Sequence, residues 1–106
     1  MATRAALAFS DDRTLVRDEV HYRARAIGSD GHPFTLLIVN ISAMGLMARC
    51  ETPIAVDERL RVVFPVIGGV MAQVRWSLGG RIGCELDQTI ALADYYELLA
   101  VLLKGR

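Results

Sequence analysis

Two arginines four residues apart, Arg13 and Arg17, and a later polar cluster, Asn40, Ser42 and Gly45, have the types and spacing for ligand chemistry. A guanidinium is a planar fork of five N–H donors that matches phosphate oxygens, or the O6/N7 edge of guanine, with two parallel hydrogen bonds. Asn40 and Ser42 add short donor/acceptor side chains at the end of an apolar run. Gly45 permits the backbone of a tight turn that a ligand can approach closely. Together these groups suit a doubly anionic, guanine-bearing ligand. The plainer alternatives are a pair of solvated charges for the arginines, a self-bonded turn residue for Asn40, and a residue with positive φ for Gly45.

The order Arg13-x-x-x-Arg17, then Asn40-x-Ser42-x-x-Gly45, resembles the signature of the PilZ domain family. Val74-Arg75-Trp76 and Gly83-Cys84-Glu85-Leu86 are similar to the family's later strands, so the resemblance spans Arg13 to Leu86. It implies a bacterial receptor for the second messenger cyclic di-GMP, with Arg13, Arg17, Asn40, Ser42 and Gly45 as the ligand-binding residues. It also implies a protein effector that reads a surface reshaped when the nucleotide orders the N-terminal arm. The alternative within the same fold is a protein-interaction module that does not bind nucleotide, and the intact motifs favour the receptor. In the family, the residue before the first motif arginine influences whether one ligand or an intercalated pair is held. Here it is Asp12, which adds no donor and argues against the stacked pair.

Composition narrows the classes. The 106 residues suffice for one core and not two. With 53% hydrophobic residues the chain can bury a substantial interior. Twelve basic and twelve acidic residues cancel, which argues against a nucleic-acid binder or a surface held to anionic lipid. An RNA-binding barrel needs interleaved aromatics, and these are 7% of the chain. Cys50 and Cys84 are far apart with no histidine at ligand spacing, and read as reduced, buried thiols. No run approaches the roughly 18 apolar residues of a membrane span, and the stretch from Met1 to Phe9 is too short a secretory signal. The expected location is therefore the cytoplasm. His21 and His32 sit near no nucleophile motif, and no catalytic or metal-binding constellation emerges.

The elements that must position the two clusters follow from periodicity. Residues 1–12 show no sustained pattern and read as a flexible arm, with 13–106 as the domain. Arg13 and Arg17 lie about 6 Å apart if Ser10-Asp11-Asp12 caps a helical turn, or roughly 13 Å apart if the arm is extended. Glu19 to Ile27 alternates as a half-buried strand, with Arg23 and Arg25 on its polar face. Pro33 to Ile41, Gly45 to Arg49, Leu60 to Phe64, Val70 to Ser77 and Ile82 to Leu86 read as further strands between glycine- and proline-marked turns. Alternation with Val74 favours core packing for Trp76 over a base-stacking role. Six short strands point to an all-β fold, a small antiparallel barrel, as the resemblance also implies. A C-terminal helix follows, with Thr89 as its cap and a stripe of Leu92, Tyr95, Tyr96, Leu99, Leu102 and Leu103. Leu98 and Val101 are expected on a second apolar face that a partner or a homodimer would cover.

Overall fold

A computed structural model describes residues 16–104 of the chain. Six strands form in chain order: β1 (Asp18–Ile27), β2 (Pro33–Ile41), β3 (Gly45–Arg49), β4 (Arg59–Phe64), β5 (Gly68–Leu78) and β6 (Arg81–Leu86). The helix α1 (Leu92–Lys104) follows. Every strand pairing is antiparallel, and the order β1-β2-β3-β6-β5-β4 closes through β4 onto β1. This is the expected small barrel with its terminal helix. Closure removes the unpaired edges on which other chains can template.

Alternation on each strand sends one set of side chains into the barrel. In β4 the burial follows the sequence strictly, with Leu60, Val62 and Phe64 inside and Arg59, Arg61 and Val63 outside. Leu36, Ile38 and Ile41 of β2, Leu46 of β3, Val74 of β5 and Ile82 of β6 meet them in the interior. Small residues on the facing strands, Ala24, Ala26, Ala48 and Ala72, leave room for these larger ones, so the tube fills with side chains and encloses no channel.

The barrel interrupts its alternation in three places. Register shifts fall in β1 between Glu19 and Tyr22, in β2 between Ile38 and Asn40, and in β5 between Val74 and Trp76. A bulge inserts one unpaired residue and reverses the facing of everything beyond it.

The helix covers one end of the barrel with Tyr95, Leu98 and Leu102, all buried. At 100° per residue these three lie within one narrow sector, and Leu99 flanks it half-buried. The expected stripe was centred too far round. Leu98, assigned to a second apolar face, is fully enclosed, and the apolar surface left on the helix is Tyr96, Val101 and Leu103. Thr89 is not the cap. Ile90 is buried and its N–H bonds the Ala43 carbonyl at 2.8 Å, which ties this segment to the β2–β3 loop, and the helix begins only at Leu92. Among the described residues no helix is long and apolar enough to cross a membrane.

Candidate functional site

The β2–β3 hairpin is the firmest part of the site. Ser42 is 3% exposed, and its N–H donates to the Gly45 carbonyl at 2.8 Å. Its Oγ accepts from the N–H groups of Met44 (3.2 Å) and Gly45 (3.1 Å) and donates to the Gly45 carbonyl at 3.4 Å. Two further loop carbonyls are also taken, Met44 by the N–H of Leu86 and Ala43 by that of Ile90. Every bond is short-range or tied to β6 and the helix approach, so the loop is braced from within and from behind. The Ser42 hydroxyl therefore acts first as a brace for the turn.

Gly45 is required for a different reason from the one its type suggests. Its φ is not in the left-handed region, which is occupied by Gly31, Gly68, Gly79 and Gly80. A Cβ at Gly45 would instead lie 2.5 Å from the Cys84 carbonyl oxygen on β6. The glycine lets β3 and β6 close together beneath the site.

Asn40 stands where the β2 bulge re-aims the strand. By parity with Leu36 and Ile38, both buried, residue 40 would point inward; with Val39 as the extra residue, both Val39 and Asn40 lie on the outer wall, half-buried. Its Nδ2 sits 3.7 Å from the Met47 sulfur, and its Oδ1 accepts from Arg17 Nη1 at 2.8 Å. Two residues 23 positions apart are thus joined. Arg17 immediately precedes β1 and is exposed. Its partner here is a neutral amide, so its charge has no carboxylate partner among the described residues. Arg13 lies outside the described residues.

Beyond this pair opens a concavity of about 370 Å³ whose walls include Arg17, Ser42, Gly45, Arg75, Trp76 and Gly83. Trp76, expected in the core, is 40% exposed on the outside. The bulge at Arg75 is the cause, since Val74 pairs with Cys84 while Trp76 pairs with the next residue, Gly83. The indole lies directly over Gly83, where a Cβ would come within 2.0 Å of Nε1. Arg75, beside it, is neutralised by Glu85, with Nη2 2.6 Å and Nε 2.7 Å from Oε1. Strand glycine opposite a tryptophan was the available signal for this platform, because a glycine within a strand marks a close approach.

Behind the wall, Cys84 has its thiol pushed up to about 12 by burial, so it stays protonated at neutral pH. Cys50 and Cys84 are both free and buried, as expected. At the entry of β1, the hydroxyl of Tyr95 on α1 donates to Asp18 Oδ2 (2.6 Å), with the Ile41 carbonyl at 2.9 Å as its other acceptor. Burial, and then the hydrogen bond to Asp18, hold this phenol well above the usual tyrosine range. The helix is thereby fastened to the residue after Arg17 and to the strand end after Asn40.

The arrangement offers a guanidinium with an unmatched charge, a rigid hairpin and an exposed aromatic face around one opening, with the Asn40 amide bonded to that guanidinium. Such a set grips an anion with one end and stacks a planar ring with the other.

Comparison with known proteins bears on the fold and the family. No curated protein matches the chain. Among solved structures, the crystal structure of the Borreliella burgdorferi PlzA protein in complex with c-di-GMP shares its fold, with a TM-score of 0.61 at 17% sequence identity. The match covers 95% of this chain and 45% of that one, so the chain spans under half the length of PlzA. The family model for the PilZ domain matches residues 11–104, which takes in both motifs, all six strands and the helix, and the chain belongs to the PilZ domain family.

Proposed function

We propose that the chain is a cyclic di-GMP receptor that turns over no substrate and signals through a protein effector. The observation that carries this reading is the hydrogen bond from Arg17 to Asn40, which joins the first binding motif to the second at the mouth of the Trp76 concavity. PlzA, a structural neighbour, is a c-di-GMP complex, which supports the same ligand. Arg17 exchanges its neutral amide partner for a phosphate or a guanine edge, Asn40 keeps contact with ribose-phosphate or base, and the braced Ser42–Gly45 turn holds the floor. Arg13 supplies the second fork. Trp76 joins the residues named by the motifs as a stacking surface for one guanine.

Residues 1–12 act as an arm and 13–106 as the receptor domain, with ligand fixing the residues around Arg13 and Arg17. Ordering each residue costs about 1–2 kcal/mol of backbone entropy, so two arginine contacts can fix only a few. Amide exchange protection is accordingly expected to rise around residues 13–17 on addition of nucleotide and to fade toward Met1.

The deciding experiment is a calorimetric titration of the full chain with cyclic di-GMP, with GTP as the control. Saturable heat with the cyclic dinucleotide and none with GTP is expected, with the nucleotide recovered intact by chromatography. A folded protein that gives no heat would be the interaction module of the same fold, and a linear product would make it an enzyme.

A further inference from the structure

A row of outward side chains crosses five strands in direct register. Arg23 of β1 faces Leu37 of β2, Leu37 faces Arg49 of β3, Arg49 faces Arg81 of β6, and Arg81 faces Leu78 of β5. All are exposed except Leu37, which is half-buried, and Leu78 is 78% exposed. Neighbouring strands lie about 4.8 Å apart, so the backbone positions of the three arginines span about 14 Å along the curved barrel wall, and that of Leu78 lies about 19 Å along it from Arg23.

This row is costly to the fold. Like charges directly opposite one another across a strand pair destabilise a sheet, and Arg49 and Arg81 are such a pair. Arg59 is matched with Asp87 and Arg75 with Glu85, while Arg17, Arg25 and Arg61 have no ion pair among the described residues. None of Arg23, Arg49 and Arg81 has an ion pair among the described residues. Alongside them lies a concavity of about 700 Å³, wider than the one at Trp76, with Arg23, Arg49 and Leu37 in its wall and Glu51 as its acid. β3 runs from Gly45 in the nucleotide site to Arg49 in this row, so the two surfaces occupy opposite ends of the same strand.

We infer that the row is a docking surface for an acidic segment of a partner protein, with an aliphatic residue at one end. Charge complementarity selects the acid. The dimensions favour a chain over a small anion, because the three arginines stem from backbone positions spread over about 14 Å of barrel wall, and an extended peptide presents alternate side chains about 7 Å apart. Three acids at alternate positions span Arg23 to Arg81, and the next such position meets Leu78. A nucleic acid would bring phosphates but finds no aromatic side chain in the row on which to stack. The inference stands whether or not the other end of the barrel binds cyclic di-GMP.

The test is fluorescence anisotropy of the full chain, without nucleotide and at low salt, with a fluorescein-labelled peptide Glu-Ser-Glu-Ser-Glu-Ser-Leu. Saturable binding is expected, lost when Lys replaces each Glu and weakened at least tenfold by Arg49→Glu with Arg81→Glu. Arg61→Glu, exposed on β4 and outside the row, should stay within twofold of the wild type. Arg81→Glu alone turns a repelling pair into an attracting one, and its thermal midpoint should rise. The inference is overturned if the wild type does not bind the peptide, if the double variant binds as well, or if an oligothymidylate of equal charge competes equally. A lower midpoint for Arg81→Glu would also overturn it, since the arginine would then serve the fold.

Discussion

At the scale of single residues, the proposed receptor divides its work between the charge of Arg17 and the stacking surface of Trp76. Hydrogen bonds to charged groups contribute about 1.5–3 kcal/mol, so Arg17→Ala should weaken cyclic di-GMP about ten- to a hundredfold in a calorimetric titration. Arg17→Lys should recover little, because an ammonium has no planar fork. The exposed position of Arg17 means neither change should lower the unfolding midpoint appreciably. Stacking of a base on an aromatic contributes about 1–3 kcal/mol, so Trp76→Ala should cost roughly five- to a hundredfold, and Trp76→Phe much less. Trp76 is the one tryptophan of the chain, so quenching of its fluorescence on titration reports the contact directly, and an unchanged spectrum at saturation would exclude it from the site. The two residues were unequally legible. Arg17 and Asn40 could be singled out by type and spacing before any fold was known, whereas Trp76 was hidden by its own alternation with Val74. Alternation does not mark the single extra residue that turns it outward, and only the strand glycine Gly83 hinted at the platform.

At the scale of elements, bulges in β2 and β5 do the same thing twice, carrying Asn40 and Trp76 from inward to outward parity. Strand spans were legible to within two residues because turn residues and alternation agree, and the helix span because its apolar period is strong. Its buried face was not, since Leu98 and Leu99 are chemically alike and only the docking direction chooses between them. Gly45 was found for its motif and explained by crowding against Cys84. Gly45→Ala must therefore push β3 from β6, with an expected loss of about 1–3 kcal/mol in urea unfolding, typical of overpacking. Were the glycine needed only for left-handed backbone, the strands would be undisturbed. Tyr95→Phe removes the hydroxyl shared by Asp18 and the Ile41 carbonyl and should cost about 1–2 kcal/mol. Because Asp18 adjoins Arg17, the same variant should weaken nucleotide several-fold, a coupling that a merely local defect in the helix would not produce.

At the scale of the whole molecule, the closed barrel places weakly acidic groups behind a wall that their charged forms cannot easily share. Cys84 is raised to about 12 by burial, from an ordinary value of 9.0. Tyr95 is raised from 10.0 by burial and by its bond to Asp18. A group whose folded pKa exceeds its unfolded value holds its proton longer in the native state, so its contribution is fully present below the unfolded value and is lost as pH rises toward the folded one. For Cys84 that window runs from about pH 9 to about pH 12, and the loss from Tyr95 begins about one unit higher. Stability should therefore be flat from neutrality, where the formal net charge is zero, to about pH 9 and fall steeply above it. Urea midpoints at pH 7.5, 9 and 10.5 measure the curve. Cys84→Ala removes one of the two thiol titrations that begin near pH 9 with little change in volume, so its curve should fall less steeply, with Cys50, also raised by burial, and then Tyr95 carrying the remainder. Identical curves for the variant and the wild type would mean that the thiol behind the Trp76 wall is open to water, and the close packing of β3 on β6 argued from Gly45 would have to be abandoned with it.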